Sequence, residues 1–154
     1  MAKLLSTLAV VAGLISATLI PARADDWPVF GYDPARSGFN SAEQTLTVGN
    51  VHKLKERWQT SLGDASQASP ILLQRVRIGK HYRTMLYETT QGGVTIGVDA
   101  SSGHIVWRYT SHGVNITTSA PAADPSGKAI YAAGIDGKVH KLSAARGRDR
   151  KSVV

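Results

Sequence analysis

Five histidines, His52, His81, His104, His112 and His140, are weighed first, because imidazoles two or four positions apart on one face can share a metal ion. No two of them stand at either spacing, so they read as surface or strand residues and no metal site is expected. The chain has no cysteine, which excludes a thiolate site and a disulfide framework and is compatible with export. No serine lies in a Gly-x-Ser-x-Gly setting, so a hydrolase elbow has no support. No glycine-rich phosphate loop of the required form is present. Asp136-Gly137 reads as a hairpin turn before it reads as a catalytic acid. Asn115-Ile116-Thr117 is a glycosylation acceptor in a eukaryotic host alone. The stretch His112-Gly113-Val114-Asn115-Ile116-Thr117-Thr118-Ser119-Ala120-Pro121 links two strands and reads as a plain loop. If it instead approaches a central pocket, Asn115 or Thr118 would line a cofactor site there. Catalytic and cofactor-binding residues are otherwise unknown from these residue types.

The elements that would position such residues emerge when the chain is laid on itself. Met85-Leu86-Tyr87 through Ser102-Gly103, shifted by 44, meets Ala129-Ile130-Tyr131 through Arg146-Gly147 without a gap. Tyr87 falls on Tyr131, Gly93 on Gly137, Val98 on Leu142, Ala100 on Ala144 and Gly103 on Gly147. Each copy reads as two strands and two turns. Aromatic and β-branched residues open a strand, and Gln91-Gly92-Gly93 or Ile135-Asp136-Gly137 supplies the positive-φ positions of a tight hairpin. The return strand is expected to alternate, with Val94, Ile96 and Val98 on one face and Val139 among the matching positions of the second copy. Asp99-Ala100-Ser101-Ser102-Gly103 then makes a second turn before His104-Ile105-Val106-Trp107-Arg108-Tyr109. A more degenerate copy ends at Trp58, which precedes Ser69-Pro70-Ile71-Leu72 much as Trp107 precedes Ala120-Pro121-Ala122. Antiparallel hairpins at a period in the forties are expected of an all-β propeller whose blades cover one another.

Composition agrees. Fifteen glycines and six prolines spread along 154 residues suit many short strands, and 42% apolar with 19% charged residues suits a globular chain. Residues 1–24 read as a signal peptide: Lys3 gives a positive start, 4–20 is an almost unbroken apolar run, and Pro21 precedes the small-x-small site Ala22-Arg23-Ala24. The mature chain is expected to start at Asp25, with no stable membrane span after cleavage and a periplasmic or secreted location. The formal charge of +7 falls to +4, 14 basic against 10 acidic residues, once residues 1–24 and 149–154 are set aside. The remaining cations are scattered, so no nucleic-acid partner is expected.

Val98-Asp99-Ala100-Ser101-Ser102-Gly103 followed by Trp107 resembles the repeat of the PQQ-type, quinoprotein alcohol dehydrogenase-like β-propeller family. Leu142-Ser143-Ala144-Ala145-Arg146-Gly147 matches it less well, with Ser143 for Asp and Arg146 for Thr. Residues 26–38, opening Asp26-Trp27-Pro28 and closing Ser37-Gly38, and residues 48–58, opening Val48-Gly49-Asn50 and closing Arg57-Trp58, are similar to the mature start of exported quinoproteins. The resemblance covers about 25–147. It implies that Trp107 packs between blades. It also implies a full-length protein that binds PQQ and calcium, and that passes electrons from an alcohol or polyol to an electron acceptor. Other members carry the same repeats without a cofactor, as scaffolds for protein binding or envelope assembly.

A closed propeller needs about four to eight blades. Residues 25–148 are expected to hold two full repeats of about 44 residues plus part of a third, an N-terminal fragment inactive alone and with no cofactor expected. Asp149-Arg150-Lys151-Ser152-Val153-Val154 does not continue the repeat. It is the translation of GATCGGAAGAGCGTCGTG, the start of a common sequencing-library adapter whose next codon is a stop. Residues 149–154 are therefore expected to be an adapter-derived tail, with the natural chain continuing past Arg148.

Overall fold

The computed structural model describes residues 26–153, so the proposed signal peptide (1–24) and the start at Asp25 lie outside the described residues. Among those residues, no helix is long and apolar enough to cross a membrane.

Eight strands form two four-stranded antiparallel sheets in simple sequential order. The first comprises β1 (Ile71–Ile78), β2 (His81–Thr89), β3 (Val94–Asp99) and β4 (Ile105–Thr110). The second comprises β5 (Ala122–Ala123), β6 (Ala129–Ala133), β7 (Val139–Ser143) and β8 (Asp149–Val153). The 44-residue shift holds at the level of single hydrogen bonds. Ala100 N donates to Thr84 O at 2.9 Å, and Ala144 N to Lys128 O at 3.1 Å. Gly103 N donates to Asp99 O, and Gly147 N to Ser143 O, both at 2.8 Å. A bulge recurs at the same point, with Val106 skipped between the pairs Val98–Ile105 and Gly97–Trp107, and Arg150 skipped between Leu142–Asp149 and Lys141–Lys151.

That register gives residues 149–153 the place of a fourth strand, with Lys151 opposite Lys141 where Trp107 stands opposite Gly97. It also adds an element that the repeat did not indicate. Ile71–Ile78 pairs with β2 from His81 to Tyr87 in a long hairpin, turned at Gly79 (φ 62) and bulged around Arg75 (φ 53).

The sheets pack face to face through Ile71, Leu73, Met85, Tyr87 and Trp107 of the first and Ile130, Ala132, Leu142 and Ala144 of the second. Trp107 indeed packs between the sheets. Its indole Nε1 donates to Ala144 O at 3.0 Å, and the Tyr87 hydroxyl donates to the same carbonyl at 3.0 Å. Alternating burial on β3 does not hold: residues 95–99 are all buried. The second sheet covers one face and residues 58–66 lie over the other, so both side-chain rows leave water. Val139, at the exposed start of β7, is 44% accessible.

Candidate functional site at the starts of the inner strands

Two stretches lead into the edge strands where the sheets approach: Gln67-Ala68-Ser69-Pro70 into β1, and Thr118-Ser119-Ala120-Pro121 into β5. The N-terminal segment bridges both edges. Trp27 exchanges backbone hydrogen bonds with Leu72 (2.8 and 2.9 Å), and Ala123 N donates to Pro28 O at 2.7 Å. Residues 29–40 then fold into a tight loop above them. Gly31 takes φ 75, and a Cβ there would come within 2.9 Å of Arg36, so this position tolerates no side chain.

Asp33 fastens the loop: its carboxylate accepts from Ser37 N at 3.0 Å and from Ser37 Oγ at 2.7 Å. The Ser37 amide bond, followed by the hydroxyl bond, holds the Asp33 carboxyl below the usual carboxylate range. With Asp33 so occupied, no carboxylate among the described residues forms an ion pair with Arg36. Arg36 has φ 54, an uncommon conformation for a residue with a side chain, and its guanidinium lies 5.9 Å from the Phe30 ring centroid.

Three cavities meet along this edge. One of about 680 Å³ lies between the loop and β1/β5. A second, of about 410 Å³, is lined by Phe30, Arg36, Gln67, Ser69, Thr118 and Ser119. A third, also about 410 Å³, is lined by Asn115, Thr118, Gly134 and Lys138. Thr118 therefore lines two cavities, whereas Asn115 is tied into the loop, its Nδ2 donating to Ile135 O at 3.1 Å. Together the guanidinium, the Gln67 amide and the hydroxyls make a set of hydrogen-bond donors for oxygen-rich, anionic groups. Arg36, Gln67 and Ser69 were not distinguished by the sequence reading; the parallel of Ser69-Pro70 with Ala120-Pro121 is the signal that points to the pair of strand starts.

His52, His81, His104 and His112 are exposed, as expected. His140 differs: it is buried, 4% accessible, between two carboxylates. Its Nε2 lies 3.0 Å from Asp136, and its Nδ1 lies 3.0 Å from Asp149 and 2.9 Å from the Tyr109 hydroxyl. Burial opposes ionisation of Asp136, but the hydrogen bonds from His140 and the Lys138 amide outweigh it and lower its pKa. Burial, then the Asp149 charge, pushes Tyr109 up to about 12. Asp136 thus sits in the hairpin turn as expected while also holding His140, a four-residue Asp–His spacing that a search for histidine pairs misses. Among the described residues, no group of three or more His, Asp or Glu side chains could hold a metal ion.

Two four-stranded antiparallel sheets of sequential strands, one covering the other, are arranged as adjacent blades of a β-propeller are. Residues 27–152 match the family model for the PQQ β-propeller domain of glucose/ethanol/alcohol dehydrogenases, and the chain belongs to that family. The chain is 29% identical over 110 residues to the quinoprotein glucose dehydrogenase of Escherichia coli (strain K12), a stretch covering 64% of this chain and 13% of that protein. Among solved structures it is similar to the quinohemoprotein alcohol dehydrogenase of Comamonas testosteroni (TM-score 0.61, 19% identity, 86% of this chain and 20% of that one). It is also similar to the quinohemoprotein alcohol dehydrogenase ADHIIG of Pseudomonas putida HK5 (TM-score 0.60, 20% identity, 93% and 21%). The chain thus spans about an eighth of the curated relative and about a fifth of the solved structures.

Proposed function

We propose that the full-length protein is an exported, periplasmic or secreted PQQ-dependent dehydrogenase that oxidises an alcohol or polyol and passes the electrons to an acceptor. Residues 25–148 contribute to its first blades two repeats of about 44 residues and part of a third, the second blade being completed at its outer edge by a strand that follows Arg148. The observation that carries this reading is the family match across 27–152. The donors at the inner strand starts support it, because a planar quinone bearing three carboxylates needs the guanidinium and hydroxyl donors that Arg36, Ser69, Thr118 and Ser119 offer. When bound, the quinone takes up the two electrons lost by the substrate carbon. Calcium belongs to the same proposal, with its ligands contributed from outside 26–153.

The test is to load the full-length protein with PQQ and calcium and follow dye reduction with alcohols, polyols and glucose. Stoichiometric PQQ binding with alcohol- or polyol-dependent reduction is expected. Reduction by glucose alone overturns the substrate assignment, and no PQQ binding favours the cofactor-free scaffold.

A further inference from the structure

The first sheet outruns the second at the far end of its inner strands. β1 and β2 run 8 and 9 residues while β5 and β6 run 2 and 5, so the first hairpin extends past the turn at 124–128. A cavity of about 600 Å³ lies between hairpin and turn, bordered by Arg75, Arg77, Tyr82, Ser126 and Lys128. Arg75 stands in the bulge of β1 at φ 53, an irregularity of the kind that re-aims a side chain. Along an extended strand it is about 20 Å beyond Ser69. The cleft shares no lining residue with the cavity that Arg36 borders at the strand starts.

Arg75, Arg77 and Lys128 are far apart in the chain, and the fold brings them to one space. All three are exposed, and among the described residues none forms an ion pair with a carboxylate. The Arg75 guanidinium lies 5.4 Å from the Tyr82 ring centroid, and Arg77 Nε donates to Gly79 O at 3.3 Å. Arg83, next along the hairpin, is taken up by Asp99. One carboxylate borders the cleft, Asp26, whose Oδ1 accepts from the Gln74 amide at 2.6 Å. Three cations against one carboxylate leave an excess of two positive charges. Arg150 also borders the cleft, but it belongs to 149–154 and is left out of the assignment. Like charges around one space repel, and a bound dianion relieves the repulsion.

We propose that this cleft binds the phosphate group of a phosphomonoester, with Arg75, Arg77 and Lys128 as its donors. Such a group carries a charge of about −1.5 to −2 at neutral pH and three strong acceptor oxygens, matching the charge excess and the three donors. The guanidinium groups of Arg75 and Arg77 suit its oxygens as planar forks, and the Lys128 ammonium acts as a point charge. A single carboxylate brings one charge and two oxygens, and would leave part of the excess uncompensated. The Tyr82 ring is 60% accessible at the same cleft and offers an apolar wall to the organic part of the ester. The assignment does not rest on the cofactor.

Calorimetric titration of the full-length protein with inorganic phosphate, at constant ionic strength, tests this. One saturable site is expected. Arg75→Gln and Lys128→Gln should each weaken it by at least about 10-fold, with the far-ultraviolet circular dichroism of the parent retained because both side chains are exposed. No saturable site, or one that neither substitution alters, overturns the assignment. Loss of the site in Arg36→Gln in place of these two variants puts the phosphate at the strand starts and overturns it as well. Sedimentation with vesicles of phosphatidic acid in phosphatidylcholine separates the sources of the phosphate. Co-sedimentation abolished by Arg75→Gln assigns it to a lipid headgroup, and no co-sedimentation beside retained phosphate binding assigns it to a soluble ester; either outcome supports the site. Dye reduction is not a readout, so loss of the dehydrogenase reading leaves these outcomes intact.

Discussion

Trp58 and Trp107 stand in the same relation to successive turns: each indole donates to the carbonyl of the alanine three residues before the turn glycine, Ala100 at 2.9 Å and Ala144 at 3.0 Å. Each ring lies against that glycine, so a Cβ on Gly103 would meet Trp58 at 2.6 Å and one on Gly147 would meet Trp107 at 2.3 Å. Trp107 is buried between two sheets, whereas Trp58 has a sheet on one side alone. Trp107→Ala should therefore cost about 3–5 kcal/mol of folding stability. Trp107→Phe, which keeps most of the apolar area but loses the hydrogen bond, should cost less, and Trp58→Phe less still in the 154-residue chain. Urea unfolding midpoints rank the three; a Trp58→Phe cost equal to that of Trp107→Phe contradicts the difference in burial.

Gly147 and Gly137 both require positive φ (64 and 78), but they differ in what surrounds them. A Cβ on Gly137 meets nothing within 4 Å, while one on Gly147 enters the Trp107 ring. Gly137→Ala should cost about 1 kcal/mol from backbone strain alone. Gly147→Ala should cost a further 1–3 kcal/mol or so, because the indole must leave its seat. Near-ultraviolet circular dichroism checks the cause: the tryptophan signal changes in Gly147→Ala and is retained in Gly137→Ala.

The parts legible in the sequence are those set by local chemistry. The 44-residue repeat, the Gly93 and Gly137 turns and the packing of Trp107 follow from residue types at fixed offsets. The hairpin of β1 and β2 was hidden because Arg75, Arg77, Lys80 and Arg83 interrupt its apolar pattern at the exposed, turn end of the strand pair. Burial on both faces of β3 was hidden for a different reason: it depends on residues 58–66, a non-repeating segment that lies across the sheet through contacts 42 and 43 residues apart in the chain. The strand starts around Ser69 and Thr118 carry no motif of their own and become a site through the loop that bridges them.

Arg36 provides the test of that site. Its guanidinium is unpaired among the described residues and borders the cavity between the two strand starts. Arg36→Ala should weaken PQQ binding by the full-length protein about 10-fold or more, the loss of one charge-assisted hydrogen bond. Arg36→Lys should recover part of the loss, because it keeps the charge and loses the fork. A fluorescence titration with PQQ reads both, and thermal unfolding should fall slightly at most, because the side chain has no carboxylate partner and gives up an exposed contact with the Phe30 ring. Equal affinities for the three proteins place the quinone elsewhere.

Glu88 gives the 154-residue chain a pH dependence of known sign. Burial raises the Glu88 pKa, and the Ser66 hydroxyl offsets part of the rise. A carboxyl that binds its proton more tightly when folded destabilises the chain as pH climbs from the unfolded-state value through the folded one, and the loss persists above that range. Asp99 acts in the opposite sense, its pKa lowered first by the Ser101 hydroxyl, against burial, with further lowering from the Ser101 amide and Arg83, so its contribution is lost as pH falls. Glu88→Gln removes the first effect and leaves the second. The variant should match the parent below about pH 4, where both forms are neutral at this position, and should be the more stable of the two at neutral pH. Urea midpoints across that range check the difference. A variant that is less stable at neutral pH would show that the Glu88 carboxylate is satisfied in the folded chain.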